Sequence, residues 1–406
     1  MRKNRVIKLI AIVFLLTSAV LFSAFKTLSY DEIVSSFDPV FEVLTHISRS
    51  YYSIDDVAVD KLLDETLKGL MKGLDDPYAW YFDKIQSREI DLDTESKYGG
   101  IGATVQYNAE YDCLLVVAPM AGSPAEEVGL LSGDLIIEID GHLVSETGYY
   151  ESVELLRGVP GTDVEIKVMR EGEEDYLFFT ITRREIEIKT VKYGSFNHEG
   201  VEIGYVQITT FSRPTHQEFL EALTILQDTE ALVIDLRNNT GGLLSSALNI
   251  SNMLVPRGSV VVTIRDRDGR EEIYRSRGSL MSSWLEDKPI VLLVNEGSAS
   301  ASEILAGALR DNGVAKIVGE TTFGKATVQS VYELSNGGEI WLPSARYFTP
   351  SGTDIHLKGI VPDITVEATD VAVAESREIT LAEARIDIEG DLQLKTAIEL
   401  IIEGIW

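Results

Sequence analysis

The chain has 406 residues, of which 45% are hydrophobic and 25% charged, a composition typical of a globular protein with two or three domains. Its net charge is −29, from 36 basic and 65 acidic residues. Because a nucleic-acid-binding protein needs a basic surface, this charge argues against nucleic acid as a partner. Cys113 is the single cysteine, so neither an intrachain disulfide nor a cysteine-based zinc site is possible.

Residues 1–30 carry five basic residues and no acidic one, and the 17 residues from Leu9 to Phe25 are uncharged. As a helix this stretch would span roughly 26 Å at about 1.5 Å per residue, just short of a bilayer core of about 30 Å. Basic residues in front of it favour an N-terminus that stays inside and a body that is extracytoplasmic. We predict an uncleaved membrane anchor. The alternative is a cleaved signal peptide with a secreted or periplasmic product.

Apolar residues recur at helical spacing after the anchor, for example at Phe37, Phe41 and Leu44, and the pattern predicts a helical segment over residues 31–96. Its second half contains Asp75-Asp76-Pro77-Tyr78, followed by the aromatic run Trp80-Tyr81-Phe82. We expect these aromatic side chains to fill a core. A surface that binds a partner is the alternative.

Composition changes at about residue 97, and residues 97–183 read as short strands separated by turns. The predicted strands are Ile101–Tyr107, Leu114–Pro119, Leu135–Ile139, Val164–Arg170 and Tyr176–Thr182.

Two glycine-rich runs lie in this region, Tyr98–Ala103 and Gly122–Gly141, and together they resemble a PDZ domain. PDZ domains bind the end of a peptide by strand addition, and backbone N–H groups of a glycine-rich turn hold its carboxylate. The resemblance implies that Gly100, Ile101 and Gly102 form this substrate-binding turn. An ordinary turn that needs the positive φ of glycine is the alternative.

From residue 184 onward, predicted strands and helices alternate, which indicates a largely parallel sheet covered by helices. The predicted strands are Ile203–Ile208, Ala231–Leu236, Val260–Ile264, Ile290–Asn295, Ala315–Gly319 and Thr327–Leu334. The predicted helices are Gln217–Leu226, Leu243–Leu254, Ser302–Leu309 and, after an acidic stretch, Leu392–Ile402.

Ser300 lies on the turn between a predicted strand and a predicted helix, among three serines in the run Ser298–Ser302. A hydroxyl at a helix N-terminus lies beside free N–H groups that can stabilise the oxyanion of an acyl-transfer intermediate. Asn239-Thr240-Gly241-Gly242 also joins a strand to a helix, and it offers further backbone donors at the same edge of the sheet. Capping of a helix and an ordinary turn are the structural alternatives.

A serine nucleophile needs a base, and none of the five histidines lies in a motif with a serine and an acid. Lys325 is the candidate base, since burial can lower the pKa of a lysine by about 3–5 units. Gln329 follows four residues later, about 13 Å away along a strand. The two side chains can therefore meet only if Lys325 precedes the strand and folds back. An exposed loop lysine and a polar strand residue are the alternatives.

Four motifs in combination look like those of the carboxyl-terminal processing peptidases, also called tail-specific proteases. They are Asp235–Gly242, Gly297–Ile304, Gly324–Gln329 and Gly359–Asp363. The resemblance implies a serine endopeptidase with a Ser-Lys dyad, a crotonase/ClpP-like α/β core and no metal or organic cofactor. It assigns Ser300 as nucleophile, Lys325 as base and Gln329 as orienting residue. Ala301 and a glycine of the pair Gly241 and Gly242 match the oxyanion donors.

The chain departs from the family pattern at two positions, with Thr240 in place of the usual proline and Ala326 in place of the usual glycine. We expect the first to change the rigidity of its turn and the second to narrow the cleft beside Lys325. The turn Arg157-Gly158 resembles a position that can communicate with the protease site.

Together these features predict a multidomain α+β protein. The expected segments are a membrane anchor or signal (1–30), a helical segment (31–96), a PDZ-like β-rich domain (97–183), a serine protease core (184–366) and a C-terminal helical segment (367–406). The expected partners are the C-termini of protein substrates, the membrane and other copies of the chain. The alternatives are a catalytically inactive PDZ scaffold that binds peptides and a crotonase-like acyl-CoA enzyme, which the N-terminal segment and the negative charge disfavour.

Overall fold

The computed structural model describes residues 29–279, 281, 285, 288–368 and 390–404. The chain divides into two compact units, one up to Gly69 and the other from Leu70 onward. The predicted anchor, Leu9–Phe25, lies outside the described residues. Within the described ranges, no helix is both long enough and apolar enough to cross a membrane.

The helices of the described residues are α1 (Tyr30–Ser36), α2 (Asp38–Ser50), α3 (Val59–Lys72), α4 (Lys84–Glu95), α5 (Pro124–Glu127), α6 (Val144–Leu156), α7 (Thr215–Ile225), α8 (Leu244–Leu254), α9 (Ala301–Asp311) and α10 (Leu392–Glu403). The strands are β1 (Trp80–Phe82), β2 (Lys97–Gly100), β3 (Ala103–Asn108), β4 (Cys113–Pro119), β5 (Leu135–Ile139), β6 (His142–Leu143), β7 (Asp163–Met169), β8 (Leu177–Thr182), β9 (Arg184–Glu187), β10 (Val191–His198), β11 (Val201–Ile208), β12 (Ala231–Asp235), β13 (Val260–Asp266), β14 (Glu271–Arg275), β15 (Ile290–Val294), β16 (Lys316–Gly319), β17 (Thr327–Glu333), β18 (Glu339–Phe348) and β19 (Ile364–Thr365).

The first unit consists of amphipathic helices. Ser29 caps α1 and forms a capping box with Glu32. Apolar side chains such as those of Phe41 and Leu44 on α2 remain exposed. The helical prediction for residues 31–96 is wrong at Trp80–Phe82, which form β1 in the second unit, because they pair with a distant strand, β18.

The β-rich region forms a six-stranded antiparallel sheet in the order β3-β4-β5-β7-β8, with β6 paired to β5. Its core contains Leu114, Ile136 and Val168, and Cys113 beside them is buried and free. The predicted strand at Ile101–Tyr107 begins later than expected, at Ala103, because Ile101 and Gly102 form the turn between β2 and β3. β3 is an end strand of this sheet.

A second six-stranded sheet has the order β10-β11-β12-β15-β16-β19, and all its pairs after β10–β11 are parallel. This confirms the prediction of a largely parallel sheet. Helices α7, α8 and α9 cover one face, where Ile234 and Leu292 are buried. Helix α10 covers the other face and packs Leu394 and Ile398 against Val233. A third sheet joins β1, β13, β14, β17 and β18.

A buried polar network connects α10 to the loop after β12. The Arg237 guanidinium, almost fully buried, forms ion pairs with Asp235 at 2.6 Å and Asp391 at 2.8 Å. Gln393 accepts a further hydrogen bond from it at 3.2 Å, and the Tyr205 hydroxyl donates to Asp235 at 2.6 Å. Asp391 is also the N-cap of α10 and accepts from the amide of Leu394. The C-terminal helix is thus fastened to the loop that leads into Asn239–Gly242.

We expect Asp391→Asn to lower the free energy of unfolding by about 2–3 kcal/mol, because it removes one charged partner of a buried guanidinium while an amide oxygen can still cap the helix. Asp391→Ala should cost more, since it removes the cap as well. Thermal and urea unfolding of the purified variants measure both effects. An unchanged Asp391→Asn variant would show that this ion pair contributes no net stability.

Candidate active site

Ser300 lies between the end of β15 at Val294 and the start of α9 at Ala301. Its backbone has φ 55° and ψ −112°, a conformation that non-glycine residues seldom adopt. Such strain is concentrated at functional sites, and here it holds a half-buried serine at a helix N-terminus. Ser300 lines a cavity of about 390 Å³.

The other two serines of the run are fully buried and bonded to the backbone. The Ser298 hydroxyl donates to the carbonyl of Leu236 at 2.8 Å, and the Ser302 hydroxyl donates to the carbonyl of Asn239 at 2.8 Å. Both hydroxyls therefore fasten the Ser300 turn to the neighbouring turn after β12. Of the three serines, Ser300 is the one that faces the cavity.

The two glycines of the neighbouring turn differ in their hydrogen bonds. The Gly241 amide donates to Oδ1 of Asn239 at 2.9 Å. Among the described residues, the amides of Gly242 and Ala301 have no acceptor, and both residues line the cavity with Ser300. A Cβ on Gly241 would lie 2.8 Å from Cβ of Ser300, so glycine allows close packing of the two turns. Of the two glycines, Gly242 is therefore the one whose amide has no acceptor among the described residues, as is also true of Ala301.

Asn239 connects these turns to the central sheet, a role that the sequence motif did not indicate. Its side chain is fully buried, and Nδ2 donates to the carbonyl of Ile208 at the end of β11 at 2.7 Å. Its carbonyl accepts from the Ala299 amide at 3.0 Å as well as from Ser302. One side chain and its backbone therefore fix the geometry of both turns.

Lys325 lies before β17, which begins at Thr327, and this is the position that the spacing to Gln329 required. Both residues line the cavity with Ser300. Burial lowers the pKa of the Lys325 amine. Its Nζ lies 5.3 Å from the ring centroid of Tyr78, and Nε2 of Gln329 donates to the Tyr78 carbonyl at 2.7 Å.

Glu303 joins the serine turn to the lysine turn. One carboxylate oxygen accepts from the amides of Ser300 and Lys325, each at 2.9 Å, and the other accepts from the Gly324 amide at 2.7 Å and the Thr322 hydroxyl. Burial raises the pKa of Glu303, while these four hydrogen bonds oppose the rise. Glu303 was not predicted as a site residue, although Ser300 and Glu303 have the spacing of a capping box.

The walls of the cavity come from several segments of the second unit. Ile90, Asp93 and Thr94 of α4 line it together with Ser300 and residues of β17. Much of the remaining wall is apolar and is formed by Phe211, Leu243, Leu244, Ile304, Val328 and Trp341.

The two departures from the family pattern have different consequences. Thr240 is exposed and lines the cavity beside Gly242. Ala326 is fully buried in the hydrophobic core, and its carbonyl accepts from the Tyr347 amide at 2.9 Å. The expectation that its methyl group narrows the cleft is therefore wrong, because the side chain points away from the cavity into the core.

The turn from Gly100 to Gly102 also has free donors. The carbonyls of Ile101 and Gly102 accept from Ala125 and Met120, whereas the amides of Ile101 and Gly102 have no acceptor among the described residues. A Cβ on Gly102 would lie 2.5 Å from Cβ of Ser123, so this position requires glycine. The adjoining β3 is an end strand whose outer edge is available for pairing.

Arg157 connects the β-rich domain to α4. Its Nη1 donates to Glu89 of α4 at 3.2 Å and to Glu154 of α6 at 3.3 Å. Because α4 also lines the cavity, this ion pair is a physical contact between the β-rich domain and the wall of the cavity.

Comparisons with known proteins identify the family. Residues 202–366 match the family Peptidase S41, and residues 115–170 match the PDZ domain. The carboxy-terminal processing protease CtpA of Bacillus subtilis (strain 168) is 36% identical over 341 residues, which cover 83% of this chain and 70% of that protein. The chain belongs to the carboxy-terminal processing proteases of peptidase family S41. This confirms the family and the PDZ domain predicted from the sequence.

Further members of the family align over similar lengths. The carboxyl-terminal-processing protease of Synechocystis sp. (strain ATCC 27184 / PCC 6803 / Kazusa) is 35% identical over 342 residues, covering 84% of this chain and 77% of that protein. The solved structure of a photosystem II D1 C-terminal processing protease is 31% identical, with a TM-score of 0.47 over 80% of this chain and 86% of the other. Membership of the S41 family rests on the sequence relatives.

Proposed function

We propose that this chain is a membrane-anchored, extracytoplasmic serine endopeptidase that cleaves protein substrates near their C-termini with a dyad of Ser300 and Lys325. The observation that supports it is one cavity lined by a strained serine at a helix N-terminus, a lysine whose pKa burial lowers, and Gly242 and Ala301, whose amides have no acceptor within the part of the chain that the structure describes. Anchoring by residues 1–30 and assembly into a homo-oligomer are parts of the proposal that rest on the sequence alone. The crotonase/ClpP-like relationship of the core remains a prediction.

In the proposed reaction, the neutral amine of Lys325 takes the proton of the Ser300 hydroxyl while the serine oxygen attacks the scissile carbonyl. The amides of Ala301 and Gly242 stabilise the oxyanion, and Gly241 supports them by packing against Ser300. The Lys325 ammonium then protonates the departing amine as the C–N bond breaks. Water, deprotonated by Lys325, then attacks the acyl carbon, the bond from that carbon to the Ser300 oxygen breaks, and the Lys325 ammonium returns the proton to Ser300. Gln329 orients the amine in both steps.

The PDZ domain binds the substrate C-terminus in this proposal. The free amides of Ile101 and Gly102, with Gly100 at the start of the turn, hold the carboxylate, and the peptide pairs with the edge of β3. The contact between Arg157 and Glu89 gives a route by which an occupied PDZ domain can affect the catalytic cavity.

The deciding experiment compares wild type with Ser300→Ala, using fluorescein-labelled casein as substrate and a fluorophosphonate as serine-reactive probe. Wild type should cleave casein and react with the probe, and Ser300→Ala should lose both activities without a change in melting temperature. Ser145→Ala, at an exposed position of α6, is the matched control and should behave as wild type. Cleavage by Ser300→Ala would overturn the proposal. A wild-type protein that neither cleaves nor reacts at any pH would favour the inactive PDZ scaffold.

A further inference from the structure

The turn Asp75–Tyr78 contacts Lys325 and Gln329, two of the polar residues that line the cavity with Ser300, although it precedes them by about 250 residues in the chain. The sequence predicts that the aromatic residues around Trp80–Phe82 fill a core, with a partner-binding surface as the alternative. Tyr81 is buried as expected, and Trp80 is exposed. Tyr78 neither fills a core nor lies on an exposed surface. It is half-buried and contacts Lys325 and Gln329.

The position of Tyr78 is fixed from both sides. Its amide donates to Oδ1 of Asp76 at 2.9 Å, and the Ala79 amide donates to the Asp76 carbonyl at 3.1 Å. Immediately after the turn, β1 pairs with β18, with Trp80 opposite Trp341. Pro77 further restricts the backbone, because its ring fixes φ near −65°. The Tyr78 carbonyl is therefore held at a defined place beside the cavity.

The carbonyl determines how the Gln329 amide is oriented. A carbonyl oxygen can only accept, so the side-chain group 2.7 Å from it must be Nε2. Oε1 of Gln329 is then left to accept a hydrogen bond within the cavity that Lys325 also lines. In the proposed mechanism, one N–H of the Lys325 amine donates to this oxygen, and the nitrogen lone pair then faces another direction.

The ring of Tyr78 shields the amine. With Nζ of Lys325 5.3 Å from its centroid, the ring occupies space that water would otherwise fill. The cation–π attraction favours the ammonium and the loss of water disfavours it. Burial lowers the pKa of Lys325, and the ring contributes to that burial. Titratable groups near this site among the described residues include Asp93, Glu303 and Tyr347, together with Asp76 on the turn itself and His356, whose ring centroid lies 6.2 Å from that of Tyr78.

We propose that Tyr78 is a positioning residue of the catalytic site, whose carbonyl orients Gln329 and whose ring keeps water from the amine of Lys325. The inference rests on the proposed Ser-Lys mechanism. It assigns a role in that mechanism to a turn that lies outside the S41 match at residues 202–366.

The ring is tested by the rate at which a fluorophosphonate reacts with Ser300 as a function of pH, which needs no knowledge of the natural substrate. The rate should fall on the acidic side of the pH profile, where the Lys325 amine becomes protonated. Tyr78→Ala should move this acidic limb to higher pH, and at a pH below the limb the rate should fall about tenfold for each pH unit by which the limb moves. Tyr78→Phe restores the ring and should return the limb toward that of wild type. Trp80→Ala, an exposed aromatic two residues away, is the matched control. Superimposed profiles of Tyr78→Ala and Trp80→Ala would overturn the role of the ring.

The turn is tested separately through Asp76. Asp76→Ala removes the acceptor that fixes the Tyr78 amide, so the carbonyl should lose its register with Gln329 and the reaction rate should fall about tenfold or more. Asp76→Asn keeps an acceptor oxygen and should recover most of the rate. Equal losses in both variants would assign the effect to charge and overturn the positioning role.

Two further measurements keep these tests decisive. If Tyr78→Ala does not melt cooperatively, Tyr78→Asn leaves a small polar side chain that admits water to the amine, and an unshifted limb in this variant, once it is shown to fold, would overturn the proposal. Ser300→Ala separates the two levels of inference. Probe reaction that persists in Ser300→Ala would overturn the Ser-Lys mechanism itself, whereas loss there with unshifted Tyr78 variants would overturn only the role of Tyr78.

Discussion

Glu303→Gln is expected to lower kcat/KM by about 100-fold, the loss that a misplacement of about 1 Å produces in an active site. The two oxygens of Glu303 accept hydrogen bonds from Ser300, Lys325, Gly324 and Thr322, and a longer one, at 3.5 Å, from the Tyr347 hydroxyl. A glutamine has one acceptor oxygen, and its NH₂ group must face at least one backbone N–H. Whichever way the amide turns, the link between the serine turn and the lysine turn is weakened.

The same substitution should lower the free energy of unfolding by about 2–4 kcal/mol, because buried donors lose a charged acceptor. Casein cleavage and thermal unfolding of the purified variant measure the two effects. Glu296→Gln makes the same chemical change at an exposed position of the same turn and should alter neither quantity. Tyr347→Phe removes a hydroxyl that donates to the Lys325 carbonyl at 2.6 Å and should give a smaller loss. Full activity in Glu303→Gln would show that the two turns are held together without this carboxylate.

The sequence predicted the half of the site that parallel-sheet geometry brings together. β12 and β15 are neighbouring parallel strands, so the turns that follow them must lie at the same edge of the sheet. Ser300 and the Gly241-Gly242 pair therefore could be placed near each other from the alternation of strands and helices alone. The choice between the two glycines as donor could not be made, since it depends on the hydrogen bond from Gly241 to Asn239.

The other half of the site, where Tyr78 meets Lys325 and Gln329, depends on the pairing of strands that are far apart in the chain. A local stretch of sequence gives no signal for such pairing. β18 was not predicted, and it contains Pro343, a residue that is rare in the interior of a strand. In the structure, Pro343 lies opposite Gln329 at a register shift of the β17–β18 ladder, where a missing N–H is tolerated. β18 in turn pairs with β1 and so brings Tyr78 to Lys325. The missed strand is thus the reason that Tyr78 was not recognised as part of the site.

Lys325→Met should reduce kcat by about 10³–10⁴-fold, near the upper limit of what a general base contributes. Methionine replaces the amine with an apolar group of similar length, so the fold should be unaffected and the melting temperature unchanged or higher. Lys325→Arg should be equally inactive, because a guanidinium stays protonated and cannot act as a base. Casein cleavage and fluorophosphonate reaction of both variants provide the measurements.

The pH dependence separates a base from a merely positive group. An ordinary lysine, with a pKa of about 10.4, is neutral in only about one molecule in 2,500 at pH 7. Burial lowers the pKa of Lys325, so the neutral fraction at a given pH is larger than in an exposed lysine. As pH falls below the pKa the neutral amine is lost, and kcat/KM should fall tenfold per unit on this acidic limb. Lys325→Met should retain only residual activity without that limb. A limb of the same midpoint in Lys325→Met would assign the titration to another group, and substantial activity in Lys325→Arg would show that position 325 needs a positive charge and not a base.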